Sequence, residues 1–284
     1  MGKASSRVAG VSRRGHEWAE RQDPGSPTGV AISAWSHYRV VEGPLQSALL
    51  SLYVLVAVLP ALLVMEAYLD ARPDALANSL VHHYHLNAPT ATMIHGVLSE
   101  GRAHELGSAL LAIVGALFFG LGFGRVLQLV HTRAWQLALA TRQRDVGLYA
   151  AVLLTLYGLI LLLLVQLNEL KHASSWVVAA LAVGWVAVLV LFFVWAPWFL
   201  TRKRISRRDL LPGAVLTALG LVVLMVVSSH VMQFWVDFYA RDYGGFGVIL
   251  AIYFWILLCS GVIVWAASLS PSLAARRDLR RGRS

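Results

Sequence analysis

Residues 176–200 read WVVAALAVGWVAVLVLFFVWAPWFL, and residues 201–208 read TRKRISRR. The first stretch carries no charge. As a helix rising about 1.5 Å per residue it is long enough to cross a hydrocarbon core of roughly 30 Å. It is apolar all round, so it has no face to turn to water. A transmembrane strand would need only about ten residues of alternating character. The second stretch sets five cations just past the end of the run. Together they read as a membrane-spanning helix that stops at a basic loop.

Five further runs share this character, at about residues 45–68, 106–124, 146–167, 210–235 and 246–269. The six runs cut the chain into seven segments, which hold 6, 2, 4, 1, 5, 1 and 5 of the 24 Lys and Arg residues in order. One side of the membrane thus receives 20 cations and the other 4. Lys and Arg accumulate on the cytoplasmic side, so both termini are expected in the cytoplasm. Miscounting by one run would destroy this alternation. The net charge of +9 is then a product of topology. The partners it implies are membrane lipids, with anionic head groups at the cytoplasmic face, and no nucleic acid.

Composition agrees. Residues of the AVILMFWYC set make up 58% and charged residues 14%, where a soluble domain has about 25% charged. This excludes a disordered chain and weighs against a soluble enzyme. The lone Cys259 lies in an apolar run, which rules out an intrachain disulfide or a Cys-rich metal site. The first 43 residues contain no apolar stretch of signal-peptide type, so the first run is expected to act as an uncleaved anchor. The fold expected is all-α: a bundle of six transmembrane helices with interfacial amphipathic helices. Residues 1–29 read as a disordered basic cytoplasmic tail, 30–270 as the membrane domain and 271–284 as a second basic tail. An interfacial helix is expected at 30–41, with Trp35, Tyr38 and Arg39, and an amphipathic cytoplasmic helix at 125–145, where apolar and basic positions alternate, lying on the bilayer surface or packed under the bundle.

Four stretches resemble the YihY/BrkB family of bacterial inner-membrane proteins. Ala48 to Pro60, with Tyr53 inside it, is similar to the family's first span, where small and aromatic residues lead to a proline. Gly124-Arg125-Val126-Leu127-Gln128 through Trp135 is similar to its amphipathic segment after span two. Leu211-Pro212-Gly213-Ala214 resembles its Leu-Pro-Gly-Ala opening of span five, and Tyr243-Gly244-Gly245-Phe246-Gly247 resembles its approach to the last span. The resemblance covers about residues 35–277. At the end of the last span, Trp265 to Ser270 stand where members have Gly-Ala-Glu-Leu-Asn, so that glutamate is missing here. The resemblance implies a plasma-membrane protein of envelope integrity, with proposed lipid or lipopolysaccharide export, in a family that has also carried a ribonuclease label. Nuclease chemistry needs clustered carboxylates or a paired acid and base. The basic loops offer only the isolated Asp145 and Asp209.

The function expected is envelope integrity, with carriage of a lipid or other amphiphile through a polar cavity between helices. The alternative is a non-transporting scaffold, and no enzyme is expected. Tyr53, Pro60, Arg125 and Tyr243 are pathway candidates because of the family match. Glu66 joins them as a carboxylate near the outer end of span one. His230 joins them with Ser228 and Gln233 as a polar group in span five, although inter-helix hydrogen bonding explains these equally. Gly120, Gly124 and Gly245 are read as packing or turn glycines. Pro60 is expected to kink its helix. His82, His83 and His85 of the outer loop could hold zinc or copper with Glu100 or Glu105, but no familiar ligand spacing is present. A solvated loop is the reading taken. No cofactor or metal is expected, and the sequence fixes no oligomeric state.

Overall fold

The computed structural model describes residues 27–68, 88, 91–92, 107–138, 145–169 and 175–281. Within three of its helices, side chains are described mainly in the halves nearest the basic loops. The described residues are helical, without a strand. The helices are α1 (Pro27–Val40), α2 (Gly43–Tyr68), α3 (Gly107–Ala134), α4 (Asp145–Glu169) and α5 (Ser175–Leu200). A last helical run, Arg207–Arg281, is broken at Gly244, where φ is 60° and ψ −141°. Only glycine adopts that backbone readily. The two arms, α6 (207–243) and α7 (245–281), fold back on each other: Tyr239 stacks near Phe254, and Ser270 Oγ donates to the Asp209 carbonyl at 2.9 Å.

Three stretches among the described residues are long and apolar enough to cross a membrane: Ala180–Leu200, Arg207–Ser228 and Phe246–Asp278. Gly43–Ala57 and Asp145–Leu159 are shorter apolar stretches of α2 and α4. Large side chains such as Phe118, Trp176, Val183, Leu191, Met225 and Phe234 lie exposed on helix surfaces. In water so much exposed apolar surface would drive association, whereas hydrocarbon accepts it.

The main core gathers the helix halves nearest the basic loops. Leu50 of α2, Leu127 and Val130 of α3, Val152 of α4, Leu200 of α5 and Val264 of α7 are buried in it. A second, smaller core belongs to the far end of the α6/α7 pair, from Met232, Val236 and Ala240 against Val248 and Ala251. Glycines set the closest approaches. A Cβ on Gly120 would strike Leu153 of α4, and one on Gly122 would strike the Tyr53 ring of α2. One on Gly124 would lie 2.9 Å from Tyr149 Cβ and 3.0 Å from its Cα.

Three expected boundaries change. Residues 125–134 do not form a separate surface helix; they continue α3 without a break. Their apolar face, Val126, Leu127, Val130 and Ala134, is buried in the core. Of the two placements expected for this amphipathic stretch, the bundle and not the bilayer surface covers its apolar face. Helix α1 begins at Pro27, so residues 27–29 are helix and not tail; proline suits that first position because its missing N–H has no helical partner anyway. Helix α7 runs on to Arg281 through most of the stretch read as a C-terminal tail. Ser33 of α1 meets Ser272 of α7 at 2.9 Å, hydroxyl to hydroxyl.

Candidate functional site

The polar groups converge at the end of the bundle that carries the basic loops. Three ion pairs between helices are described there, one per antiparallel helix pair, and Arg277 Nε also lies 3.5 Å from Asp278 on its own helix. Glu42, just before α2, takes Arg133 from the last turn of α3 at 2.6 Å. Asp145, the first residue of α4, takes Arg202 from just beyond α5. Asp209, in the first turn of α6, takes Arg277 from the last turns of α7. In each pair the acid begins a helix and the arginine ends the next. Each charge therefore also meets the favourable end of its helix dipole. Asp145 is buried, and its carboxylate depends on the arginine for compensation.

The local backbone is shaped to this purpose. Beyond α5, Lys203 N–H donates to the Trp198 carbonyl at 2.8 Å and Arg202 N–H to the Phe199 carbonyl at 3.0 Å. This is a Schellman cap, with Arg202 at φ 55° in the position glycine usually fills. The end of α3 repeats it, with Gln136 at φ 51°. Glu42 also has a positive φ, 58°. Two of the three pairs thus hang on a residue held in left-handed backbone. Between α3, α4 and α5 sits Gln128. Its amide donates to the orphan carbonyl of Leu200 at 2.8 Å, and its oxygen accepts from the Tyr149 hydroxyl.

The Leu211-Pro212-Gly213-Ala214 stretch can be read atom by atom. Pro212 has no N–H for the carbonyl of Arg208, four residues back. Arg277 of α7 donates to that carbonyl at 2.8 Å while its other nitrogen holds Asp209. A Cβ on Gly213 would lie 2.9 Å from Ser270 Cβ and 3.1 Å from the Ala266 carbonyl, so α7 seats against it. Ala214 is buried. The stretch is a docking device for α7.

Beside it lies a cavity of about 10 Å³, lined by His131, Phe193, Gly213, Thr217, Ile263 and Ser270 among others. That is room for one water. His131, in the extension of α3 past Gly124, is buried and pairs Nδ1 with the Leu127 carbonyl at 2.9 Å.

The pathway candidates do not converge on one place. Tyr53 packs on Gly122, and Arg125 is exposed on α3 within electrostatic reach of Tyr149. His230 is exposed on α6 with Nδ1 at 3.0 Å from the Val226 carbonyl, and Tyr243 is exposed at the break before α7. Helix α2 runs unbroken through Pro60 and Glu66. Gly245 is the first residue past the break. Asp70 and the outer-loop histidines and glutamates lie outside the described residues. Among the described residues no group of three or more His, Cys, Asp or Glu is placed to hold a metal ion. The sequence reading missed the three ion pairs, Gln128 as a bridge, and His131. The one signal available was the recurrence of an acid at a helix start and an arginine at the next helix end.

Long uncharged helices around a core, with charge confined to their ends, define a helical membrane protein. The family model described as "Virulence factor BrkB" matches residues 34–284, and the chain belongs to that family. A relative in Bacillus subtilis (strain 168), named as the ribonuclease-like protein YfkH, is 22% identical over 265 residues, covering 86% of this chain and 95% of its own. No solved structure matches the chain.

Proposed function

We propose that this protein is a six-span bacterial inner-membrane protein, both termini cytoplasmic, that supports the cell envelope by engaging lipids through its basic end. The observation that carries this reading is the closed basic end itself. Three inter-helix ion pairs staple it, over an apolar core in which buried polar groups such as Gln46, Thr132 and His131 are set. Exposed cations surround it, so lipid held against the outside of the bundle is the reading taken. A carrier is the second reading, and the small core at the far end of α6/α7, distinct among the described residues from the main one, favours it.

An enzymatic role fits less well. The name of the Bacillus relative suggests nuclease chemistry, but Asp145 and Asp209 are each engaged by an arginine, which opposes their use as metal ligands or bases. Reconstitution in vesicles of phosphatidylethanolamine and phosphatidylglycerol, with a fluorescent analogue of each, tests the reading. Retention of lipid by the purified protein without transbilayer movement is the expected result. Movement that follows protein dose transfers the case to the carrier, and neither retention nor movement overturns both.

A further inference from the structure

The five cations of the α5–α6 loop are not equivalent. Arg202 is taken by Asp145, Arg204 donates to the Ala138 carbonyl at 3.3 Å, and the Arg208 side chain is exposed in the first turn of α6. Lys203 and Arg207 are held instead on one aromatic ring: Lys203 Nζ lies 5.1 Å and the Arg207 guanidinium carbon 3.8 Å from the Trp198 ring centre. The backbone imposes this. The Schellman cap ties Lys203 N–H to the carbonyl of Trp198, so the chain turns back over the ring, and α6 then starts at Arg207. A guanidinium that lies against a ring still offers N–H groups to an anion. Contact with the ring also removes part of the side-chain freedom that anion binding would otherwise cost. Two cations thus share one aromatic ring, with no carboxylate among their described contacts.

We propose that Trp198, Lys203 and Arg207 form a binding site for the phosphodiester head group of an anionic membrane lipid such as phosphatidylglycerol. The position in the chain selects the lipid. Trp198 lies in the last turn of Ala180–Leu200, a stretch long and apolar enough to cross the hydrocarbon, and interfacial tryptophans sit at head-group level. The cations follow within the next turn, where a phosphate attached to two acyl chains arrives and a soluble phosphate has no reason to gather. This site rests on the reading of the protein as a lipid-engaging one, and names where that engagement occurs.

The experiment is native mass spectrometry of the full chain released from nanodiscs of phosphatidylethanolamine with a minor share of phosphatidylglycerol. The comparison is between wild type, Lys203→Asn, Arg207→Gln and the double variant. Asparagine tolerates the φ of 63° at position 203, and both side chains are exposed, so the fold persists. A juxtamembrane cation is worth roughly fivefold in anionic lipid affinity, so the preference should fall roughly fivefold for each variant and roughly thirtyfold for both. Trp198→Leu should lower it with every cation still present, and Arg39→Gln, an exposed charge deletion elsewhere on the same end, should leave it. An equal loss with Arg39→Gln means diffuse charge and overturns the site. Unchanged preference in the double variant overturns the site while lipid engagement stands, and no anionic preference in wild type overturns both. Displacement of the lipid by millimolar inorganic phosphate, or tighter retention of a short RNA than of the lipid, would also reject the lipid assignment.

Discussion

Gly247 provides a demanding test of the α6/α7 pair. A Cβ there would overlap the Tyr239 carbonyl and lie 2.9 Å from Ala240 N, and these are backbone atoms that cannot rotate aside. No positive φ is involved, so the constraint is steric contact alone. Gly247→Ala must push the arms apart by on the order of 1 Å at a point where Gly244 already fixes the turn. The small core beside it, Met232, Val236 and Ala240 against Val248 and Ala251, loses contact as the gap opens. A radial gap of about 0.5–1 Å forfeits a quarter to a half of each dispersion well. With overpacking strain added, the cost should be about 2–3 kcal/mol. At about 2–4 °C per kcal/mol, thermal unfolding followed by tryptophan fluorescence in detergent should drop by about 5–10 °C. Gly261→Ala is the control. It lies in α7 with nothing within 4 Å of its added methyl, and should hold or gain stability. If Gly247→Ala melts with wild type while retaining its near-UV signature, the close packing of α6 on α7 is refuted.

Further expectations concern the basic end. Arg202→Ala should cost about 2–3 kcal/mol, below the range for a fully buried pair because the arginine is 37% exposed while Asp145 is 2% exposed. Asp145→Asn in the same chain should give back part of that loss in a double-mutant cycle, and strict additivity would count against the pair. Arg277→Met should cost about 2 kcal/mol, and adding Pro212→Ala should restore about half by giving the Arg208 carbonyl an N–H of its own; no restoration would reject the account of Pro212.

The fold was legible where it rests on composition. Uncharged runs as long as 176–200 have one solution in hydrocarbon, since each backbone group must be satisfied within its own helix. The turn before the last run was legible as well, because Gly244, Gly245 and Gly247 cluster where no helix interior would place them. The pattern at 125–134 left two placements open because a period of about 3.6 residues reports only that one face is apolar. Whether bilayer or bundle covers that face depends on neighbours such as Leu153 and Leu200, distant in sequence. The ion pairs were hidden for the same reason. Glu42 and Arg133 are 91 residues apart, and nothing local to either marks the other. The pathway candidates chosen by family likeness fell at separate places because each of their motifs has a local packing task, as Gly213 and Tyr53 illustrate.

The closure of the last helix pair also has an order in time. Arg277 follows Arg208 by 69 residues, yet it answers both the carbonyl freed by Pro212 and the Asp209 carboxylate. At synthesis rates of about 5–20 residues per second, those two groups wait roughly 3–14 s for their partner. Until then the start of α6 shows an uncompensated carboxylate and an unanswered carbonyl at the membrane surface. Arg277 therefore acts as a mark of completion. A chain that stops short of it leaves both groups at the start of α6 without that partner.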